Sequence, residues 1–201
     1  MSELISSSFA VREPILRDEL RAILKIENDH SFSQYVSVLL KVGLIKLFQN
    51  GIYYRPESDS RFSKLEPSLM DVIEKKYCAD YKGFRIGSAL LNQYKFTSQV
   101  SSNYEILSSN VSKNSRSVKV FDGKASVSSS KLPLNKNNYY YVVFAELLKN
   151  IEYSDYEEEE NLVLLRRIFS DFKLSKVKML KILEHYKGNR LQHMHILFEK
   201  V

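Results

Sequence analysis

The residues in this sequence that could bind a metal ion are the histidines near its C-terminal end, His185, His193 and His195. A zinc site needs His, Cys, Asp or Glu ligands whose spacing brings their side chains together. His193 and His195 are two positions apart, which would place them about 200° apart around a helix. No Cys or acidic residue near them has the spacing of a further ligand. We therefore predict ordinary surface or half-buried histidines and no metal site.

The Gly87-Ser88 pair is similar to the glycine-serine start of a nucleotidyltransferase site. That chemistry needs paired acidic residues about ten positions further on to bind Mg²⁺. The stretch at that distance is FTSQVSSN, residues 96–103, and it contains no acid. We therefore predict a protein that is not an enzyme and needs no cofactor, in which Gly87, Ala89 and Asn92 serve close helix packing.

Contact with DNA could come from the polar side chains of SFSQYVSVLLKVGLIKLFQNGIYYRP, residues 31–56. On a helix in the major groove, N-terminal side chains reach base edges, whereas lysine and arginine contact phosphates. The candidates for base contact are Ser31, Ser33, Gln34, Tyr35 and Ser37. The candidates near the DNA backbone are Lys41, Lys46, Gln49, Asn50 and Arg55.

The base-contact candidates must lie on a helix. The apolar residues that repeat at helical spacing and predict its buried face are Val36, Leu39 and Leu40. Ser31 or Ser33 could cap this helix, and Gly43 would end it. Two short alternating runs, 44–48 and 51–54, then predict strands joined by the tight-turn signal Gln49-Asn50-Gly51.

A second helix is predicted before this one, over residues 13–24, with Pro14 at its first helical position. A further helix would come from residues 2–10. Helices followed by a small hairpin are the order of a winged helix-turn-helix, in which the helix before the hairpin reads the major groove. We therefore predict such a domain over residues 1–60.

The remaining residues, 61–201, are predicted to form a mixed α/β domain with a helical C-terminal tail from about residue 152. Asp122-Gly123 between two alternating runs is the strongest hairpin signal in the chain. The other predicted elements are a helix over 67–78, a strand or turn and a helix around 87–94, a strand or helix over 138–149, a helix from the acidic run to about 169, a helix capped by Ser175 and closed by Gly188, and a last helix over 190–200.

The net charge of +6 is unevenly distributed along the chain. Residues 1–60 carry seven Lys or Arg and eight Asp or Glu, whereas residues 161–201 carry nine and three. The tail lysines and arginine that could form a second phosphate-binding face, or simply a solvated one, are Lys173, Lys176, Lys178, Lys181, Lys187 and Arg190. Tyr139, Tyr140 and Tyr141 could likewise stack on bases or pack in the core.

A cytoplasmic location is predicted from composition. The single cysteine, Cys78, excludes an internal disulfide and fits a reducing compartment. No apolar run approaches the roughly 20 residues needed to span a bilayer, so we expect no membrane contact. The first residues, MSELISSSFAVREP, lack the basic and apolar blocks of a signal peptide.

Three segments, in this order, carry a resemblance: LLKVGLIKLFQNGIYYRP (residues 39–56), LEPS (65–68) and GFRIGSALLNQYKFTSQVSSNYEILSSN (83–110). Together they resemble the AbiEi-type antitoxins of type IV toxin–antitoxin systems. In that family a winged-helix domain with the pattern L-x-K-x-G-x-I and G-x-Y-Y-x-P precedes a domain in which a helix and a T-x-Q-V turn recur. The match covers residues 12–150, and the acidic run EEEE at 157–160 lies outside it.

The resemblance implies a transcriptional autorepressor that binds double-stranded DNA at its own operator. Its second domain would counteract a cognate nucleotidyltransferase-like toxin, without a stable complex. By position, the recognition helix would be residues 31–42 and the wing residues 45–54. The motif residues of the second domain would be Gly87, Ala89, Leu90, Asn92, Thr97, Gln99 and Val100.

Two alternatives stay open beside this antitoxin-type regulator. One is a stand-alone transcription regulator whose second domain is an unrelated sensor. The other is a protein-interaction module without DNA binding, in which the winged helix and the EEEE run contact a partner. If DNA is bound, a homodimer on an inverted repeat would combine two modest contacts.

Overall fold

The computed structural model describes residues 2–49, 51–58, 61, 64–111, 118–151 and 159–201. In these residues it shows a mixed α+β fold with two small sheets, which confirms the predicted fold class at this level. The chain divides into two compact units, unit 1 at Met1–Lys76 and unit 2 at Tyr77–Val201. Among the described helices, none combines the length and the hydrophobicity that crossing a bilayer requires.

Unit 1 contains a three-stranded antiparallel sheet in the order β1-β3-β2. Its elements in chain order are α1 (Ser2–Ser8), β1 (Pro14–Leu16), α2 (Arg17–Leu24), α3 (Asp29–Lys41), β2 (Lys46–Gln49), β3 (Ile52–Tyr54) and α4 (Leu69–Ile73). The predicted hairpin is present as β2 and β3, and Asn50 of its turn lies outside the described residues. The buried residues that form the apolar core are Ile5, Phe9, Ile15, Leu20, Phe32, Val36, Leu39, Ile45 and Tyr53.

Strand β1 replaces the first turn of the helix predicted over residues 13–24. Pro14 pairs opposite Tyr54 at the edge of the sheet, so its prediction as a first helical residue is wrong. An edge strand tolerates proline because the missing N–H need not join a ladder. Helix α2 begins at Arg17, where the Leu16 N–H donates to the Glu19 carboxylate at 2.9 Å.

Helix α3 begins earlier than its predicted caps. Asn28 is the N-cap, and its Oδ1 accepts hydrogen bonds from the N–H groups of His30 and Ser31. The prediction that Ser31 or Ser33 caps this helix is therefore wrong. Asparagine is among the strongest N-cap residues, and here it precedes the serines. The helix ends as predicted, before Gly43 at φ 73°.

The segment after residue 60 returns to unit 1 instead of starting a new domain. Ser68 caps α4 by accepting from the Asp71 N–H, so Pro67 is not the first helical residue that the sequence predicts. After α4 come a π-helical turn, Glu74–Cys78, and a 3-10 turn, Ala79–Tyr81, in place of one continuous helix to residue 78. Unit 1 therefore extends past the boundary predicted near residue 60.

An ion-pair cluster holds this returning segment in unit 1. Lys75 Nζ lies 2.7 Å from Glu13 Oε1 and 3.1 Å from Glu19 Oε1. Burial alone would raise the pKa of Glu13, but hydrogen bonds from Lys75 and from the Ala10 N–H together hold that pKa below its usual value. Burial alone would likewise lower the pKa of Lys75, but hydrogen bonds and charge interactions with Glu13 and Glu19 raise that pKa above its usual value.

We expect Lys75→Met to lower the free energy of unfolding by about 1 kcal/mol at pH 7, because a partly exposed pair contributes modestly. The depressed pKa of Glu13 means that this stabilisation is present above its unfolded pKa near 4.5 and is lost as pH falls through the folded pKa. The raised pKa of Lys75 means that the stabilisation is lost again as pH rises through that value, above 10.5. Urea denaturation from pH 3 to 7 measures the difference.

Lys64→Met is the control for this experiment, since Lys64 is an exposed lysine of the same unit. Its unfolding free energy should follow that of the wild type at each pH. A Lys75→Met deficit of the same size at pH 3 and pH 7 would contradict the electrostatic account.

Unit 2 contains a four-stranded sheet in the order β4-β5-β7-β6. Its elements in chain order are β4 (Gly83–Arg85), α5 (Ser88–Gln93), β5 (Tyr104–Ser108), β6 (Val118–Val120), β7 (Ala125–Ser129), α6 (Tyr139–Asn150), α7 (Glu159–Asp171), α8 (Lys176–Leu183) and α9 (Asn189–Glu199). Strands β5 and β7 are parallel and the other pairs are antiparallel. The hairpin predicted at Asp122-Gly123 is confirmed between β6 and β7.

Helix α6 is the centre of the unit 2 core. Its residues from Val142 to Leu148 are all buried, and the helix packs against α8 and α9. Buried residues of α7, α8 and α9 belong to the same core, so these helices complete the unit and are not an appended tail. Gly188 precedes α9, and α8 already ends at Leu183, so the prediction that Gly188 closes α8 is wrong. Residues 152–158 of the predicted acidic helix start lie outside the described residues.

Candidate functional site

Helix α3 presents a polar line to solvent, as its spacing predicted. Ser33, Ser37 and Lys41 are exposed and four residues apart, so they lie along one side of the helix. Gln34 is exposed beside them, with its Nε2 3.0 Å from Nε2 of His30. These side chains can therefore reach a ligand laid along the helix.

An apolar line runs next to the polar one on α3. Tyr35, Val38 and Val42 are 44%, 53% and 60% exposed and follow the spacing of one helix face. On β2, Leu47 is also exposed. Of these residues only Tyr35 is a predicted DNA contact, because in the sequence the valines continue the apolar pattern of the buried stripe. The exposed surface of α3 is consequently amphipathic.

Two arginines from α2 stand at the N-terminal end of α3. Nη2 of Arg17 lies 3.0 Å from Asp29 Oδ1, and Arg21 contacts the same oxygen. Both guanidinium groups lie over the ring of Phe32, at 5.3 and 5.0 Å from its centroid. The hydrogen bond from Arg21 is the largest of several effects that lower the pKa of Asp29. Neither arginine was among the predicted contacts, although their spacing of four on an amphipathic helix was a usable signal.

The remaining predicted DNA-contact residues of unit 1 differ in whether their side chains are exposed or held by internal contacts. Gln49 is exposed on β2, whereas Lys46 is half-buried. Ser31 is half-buried, and its N–H is used by the Asn28 cap. The Arg55 guanidinium donates to the carbonyls of Ser6 and Phe9 at 3.1 and 3.0 Å, which fixes the chain at the end of α1. The structure therefore gives Arg55 an internal role.

The charges of the two units differ. Residues 1–76 carry eleven Lys or Arg and eleven Asp or Glu, and residues 77–201 carry nineteen and thirteen. Unit 1 is therefore neutral overall, and the whole excess of +6 belongs to unit 2. Since phosphate contacts supply most nonspecific affinity for DNA, unit 1 alone has a weak electrostatic drive toward it.

The motif residues assigned to the second domain hold α5 and the following turn together. Gly87 precedes α5 with φ 65°, and Leu90 is fully buried. Asn92 Nδ2 donates to the Thr97 carbonyl at 3.2 Å, and the Gln99 N–H donates to Thr97 Oγ1 at 3.1 Å. These contacts give the motif a structural role, and any role against a toxin stays a prediction.

The tyrosines at 139–141 pack within unit 2. Tyr139 makes edge contacts with Tyr81 and Phe84, and burial is the main cause that raises its pKa. Tyr141 accepts from the Ser175 N–H through its hydroxyl, and Lys178 Nζ lies 4.3 Å from the centre of its ring. Both rings are therefore engaged with their own unit.

The C-terminal histidines are not gathered into a cluster. Within the described ranges, no group of three His, Cys, Asp or Glu side chains is arranged to hold a metal ion. His193 is half-buried with Nε2 3.1 Å from the Ile151 carbonyl oxygen, and burial lowers its pKa.

No protein-family model matches the chain, and a search of curated proteins finds no significant match. The resemblance to AbiEi-type antitoxins therefore rests on the three sequence segments alone.

Proposed function

We propose that unit 1 is a winged helix-turn-helix module that binds double-stranded DNA through α3. The order α1-β1-α2-α3-β2-β3, with the three strands in one antiparallel sheet, is the order of such modules and supports this proposal. In this arrangement α3 is the recognition helix and the β2–β3 hairpin is the wing.

The exposed polar line of α3 is the observation that carries the proposal. Ser33 and Gln34 project from the N-terminal half of the helix, where a recognition helix meets base edges, and Ser37 follows Ser33 one turn further along the same side. Arg17 and Arg21 stand at the same end of α3 and suit phosphate contacts. Val38 and Val42 can contact thymine methyl groups, which are apolar features of the major groove.

The neutrality of unit 1 sets the expected mode of binding. Because unit 1 has no net positive charge, specific base contacts have to supply much of its affinity for DNA. Two copies on an inverted repeat add their contributions. We therefore propose a homodimer on a symmetric operator, with an affinity that depends less steeply on salt than that of a strongly basic module.

The biological role that we propose is the one that the resemblance implies. The protein would repress its own operon through unit 1 and act, through unit 2, as an antitoxin against a nucleotidyltransferase-like toxin, with no catalysis of its own. The sequence segments that resemble the family support this role: one ends in the wing, and another spans β4, α5 and β5.

Binding to a fluorescent duplex from the region upstream of the gene tests the DNA proposal against a scrambled duplex of equal length. We expect the double variant Gln34→Ala/Ser37→Ala to lose about tenfold or more in affinity for the upstream duplex, since each specific base contact is worth about 1–3 kcal/mol. Its affinity for the scrambled duplex should change little. Fluorescence anisotropy from 50 to 200 mM salt is the measurement.

The matched control is Gln93→Ala/Ser98→Ala, which removes the same exposed residue types from unit 2. This variant should bind like the wild type. No preference of the wild-type protein for the upstream duplex at any salt concentration would sink the DNA proposal.

The exposed apolar line favours a second candidate, a protein-interaction module without DNA binding. On DNA, Val38→Ser/Val42→Ser would weaken contacts with thymine methyl groups and so reduce duplex affinity. In an interaction module the wild-type protein would bind neither duplex at low salt, and the same variant would only make α3 more polar. The duplex experiment with this variant added separates the two candidates.

A further inference from the structure

Unit 2 contains a cavity of about 600 Å³ that its predicted elements did not suggest. It lies between the ends of β5 and β7 on one side and helices α6 and α9 on the other. Its apolar walls include Leu107, Val142, Leu191 and Met194. A volume of this size, with mostly apolar walls, is typical of small-molecule sites.

Polar groups converge inside these walls. The Glu146 carboxylate from α6 is almost fully buried and lies 2.7 Å from Lys149 Nζ. The Tyr186 hydroxyl is hydrogen-bonded to Glu146, and burial together with this carboxylate raises its pKa. Ser130 Oγ, at the end of β7, is buried without a hydrogen-bond partner among the described residues. A few fixed polar groups in an apolar cavity are what orients a ligand.

The charged residues that line the cavity are mostly cationic. In the part of the chain that the structure describes, one acidic residue, Glu146, lines the cavity, together with four basic residues: Lys131, Lys149, Lys187 and Arg190. Since Lys149 pairs with Glu146, the other three cations remain in excess at this site. Contacts within unit 2 hold two of these three side chains in place. Lys131 Nζ lies 5.9 Å from the centre of the Tyr186 ring, and Nη1 of Arg190 donates to the Lys149 carbonyl at 3.4 Å. An excess of positive charge beside apolar walls favours an anion over a cation or a neutral ligand.

We propose that this cavity binds a small organic anion with an apolar body. The body would lie between Val142, Leu191 and Met194, and the anionic group would face Lys187, Arg190 and Lys131. Ser130 Oγ would gain its missing partner from a polar atom of the ligand. This inference concerns unit 2 alone and does not rest on DNA binding by unit 1.

Two dyes that differ by one charged group test the proposal with the full-length protein. The first is 8-anilinonaphthalene-1-sulfonate, and the second is N-phenyl-1-naphthylamine, which has the same aromatic body without the sulfonate. We expect saturable binding of one sulfonate dye per chain, at least tenfold tighter than that of the neutral dye. Fluorescence titration gives both affinities.

Variants locate the binding and the charge that selects it. Lys187→Ala/Arg190→Ala should weaken binding of the sulfonate dye about tenfold and leave that of the neutral dye unchanged. Arg167→Ala/Lys176→Ala, which removes exposed cations elsewhere in unit 2, should change neither. Equal affinity of the wild type for the two dyes, or equal losses in the two double variants, would overturn the proposed anion site.

Filling the cavity provides an independent check. Leu191→Trp should abolish binding of both dyes while thermal unfolding followed by circular dichroism stays cooperative. A folded Leu191→Trp protein that binds both dyes as the wild type does would place them outside the cavity and overturn the proposal. Duplex binding by unit 1 is scored separately, so failure of one proposal is distinguishable from failure of the other.

Discussion

A Gly83→Ala variant should lose about 3 kcal/mol or more of folding free energy, a large fraction of the roughly 5–15 kcal/mol that keeps an ordinary domain folded. Gly83 lies in β4, opposite Ser108 of β5. A β-carbon at this position would lie 2.3 Å from the Tyr77 carbonyl oxygen and 2.7 Å from that of Leu107. Both atoms belong to the backbone, so relief requires moving β4 away from β5 and from the turn that contains Tyr77. Glycine is therefore needed here for space and not for an unusual φ.

Circular dichroism during urea denaturation measures this effect. Gly123→Ala is the matched control, because Gly123 lies in the β6–β7 turn at φ 83° with nothing within 4 Å of the added carbon. That substitution strains the backbone without a clash and should cost only about 1 kcal/mol. If Gly83→Ala is no less stable than Gly123→Ala, the close approach of the two carbonyls is not a constraint on unit 2.

The elements that could be predicted from the sequence are those whose signal is local. In α3, Val36 and Leu39 repeat at helical spacing, and Gly43 follows as a stop, so the helix and its exposed polar side were readable. The Asp122-Gly123 turn was readable for the same reason, since both residues take positive φ in the observed turn.

Elements that depend on distant partners could not be predicted. Strand β1 spans three residues, and its apolar pattern fits a helix equally well, so its pairing with β3 decides the matter. The all-buried run in α6 likewise has no polar side to reveal its period, and its neighbours α8 and α9 settle it as a helix. The parallel pairing of β5 with β7 also joins segments that are not adjacent in the chain.

The candidate sites likewise contain features that have a local sequence signal and features that depend on distant partners. The polar line of α3 comes from one helix and followed from its spacing. Arg17 and Arg21 become part of that surface because Asp29 draws α2 and α3 together, a contact that no single segment encodes. The cavity of unit 2 is assembled from β5, β7, α6 and α9, so its lining residues share no motif.

Removing the cation that pairs with Glu146 should be the second most damaging change that we foresee. Glu146 is 2% exposed, and Lys149 Nζ lies 2.7 Å from its Oε2. The other polar groups beside this carboxylate, Asn150 and Tyr186, are neutral. Lys149→Met therefore leaves a buried charge without its counterion, and we expect a loss of about 3 kcal/mol in the free energy of unfolding. This lies at the low end for buried pairs because the Lys149 side chain is 34% exposed.

A double variant separates the effect of the buried charge from that of the rest of the Lys149 side chain. Lys149→Met/Glu146→Leu removes both charges and should recover about 2 kcal/mol of that loss, because an apolar pair replaces an ion pair at little cost. Lys181→Met, an exposed lysine of α8, should stay within about 0.5 kcal/mol of the wild type. A loss below about 1 kcal/mol in Lys149→Met would contradict the account. So small a loss would mean that cavity water, a proton or another cation of the cavity lining compensates the Glu146 carboxylate when Lys149 is removed.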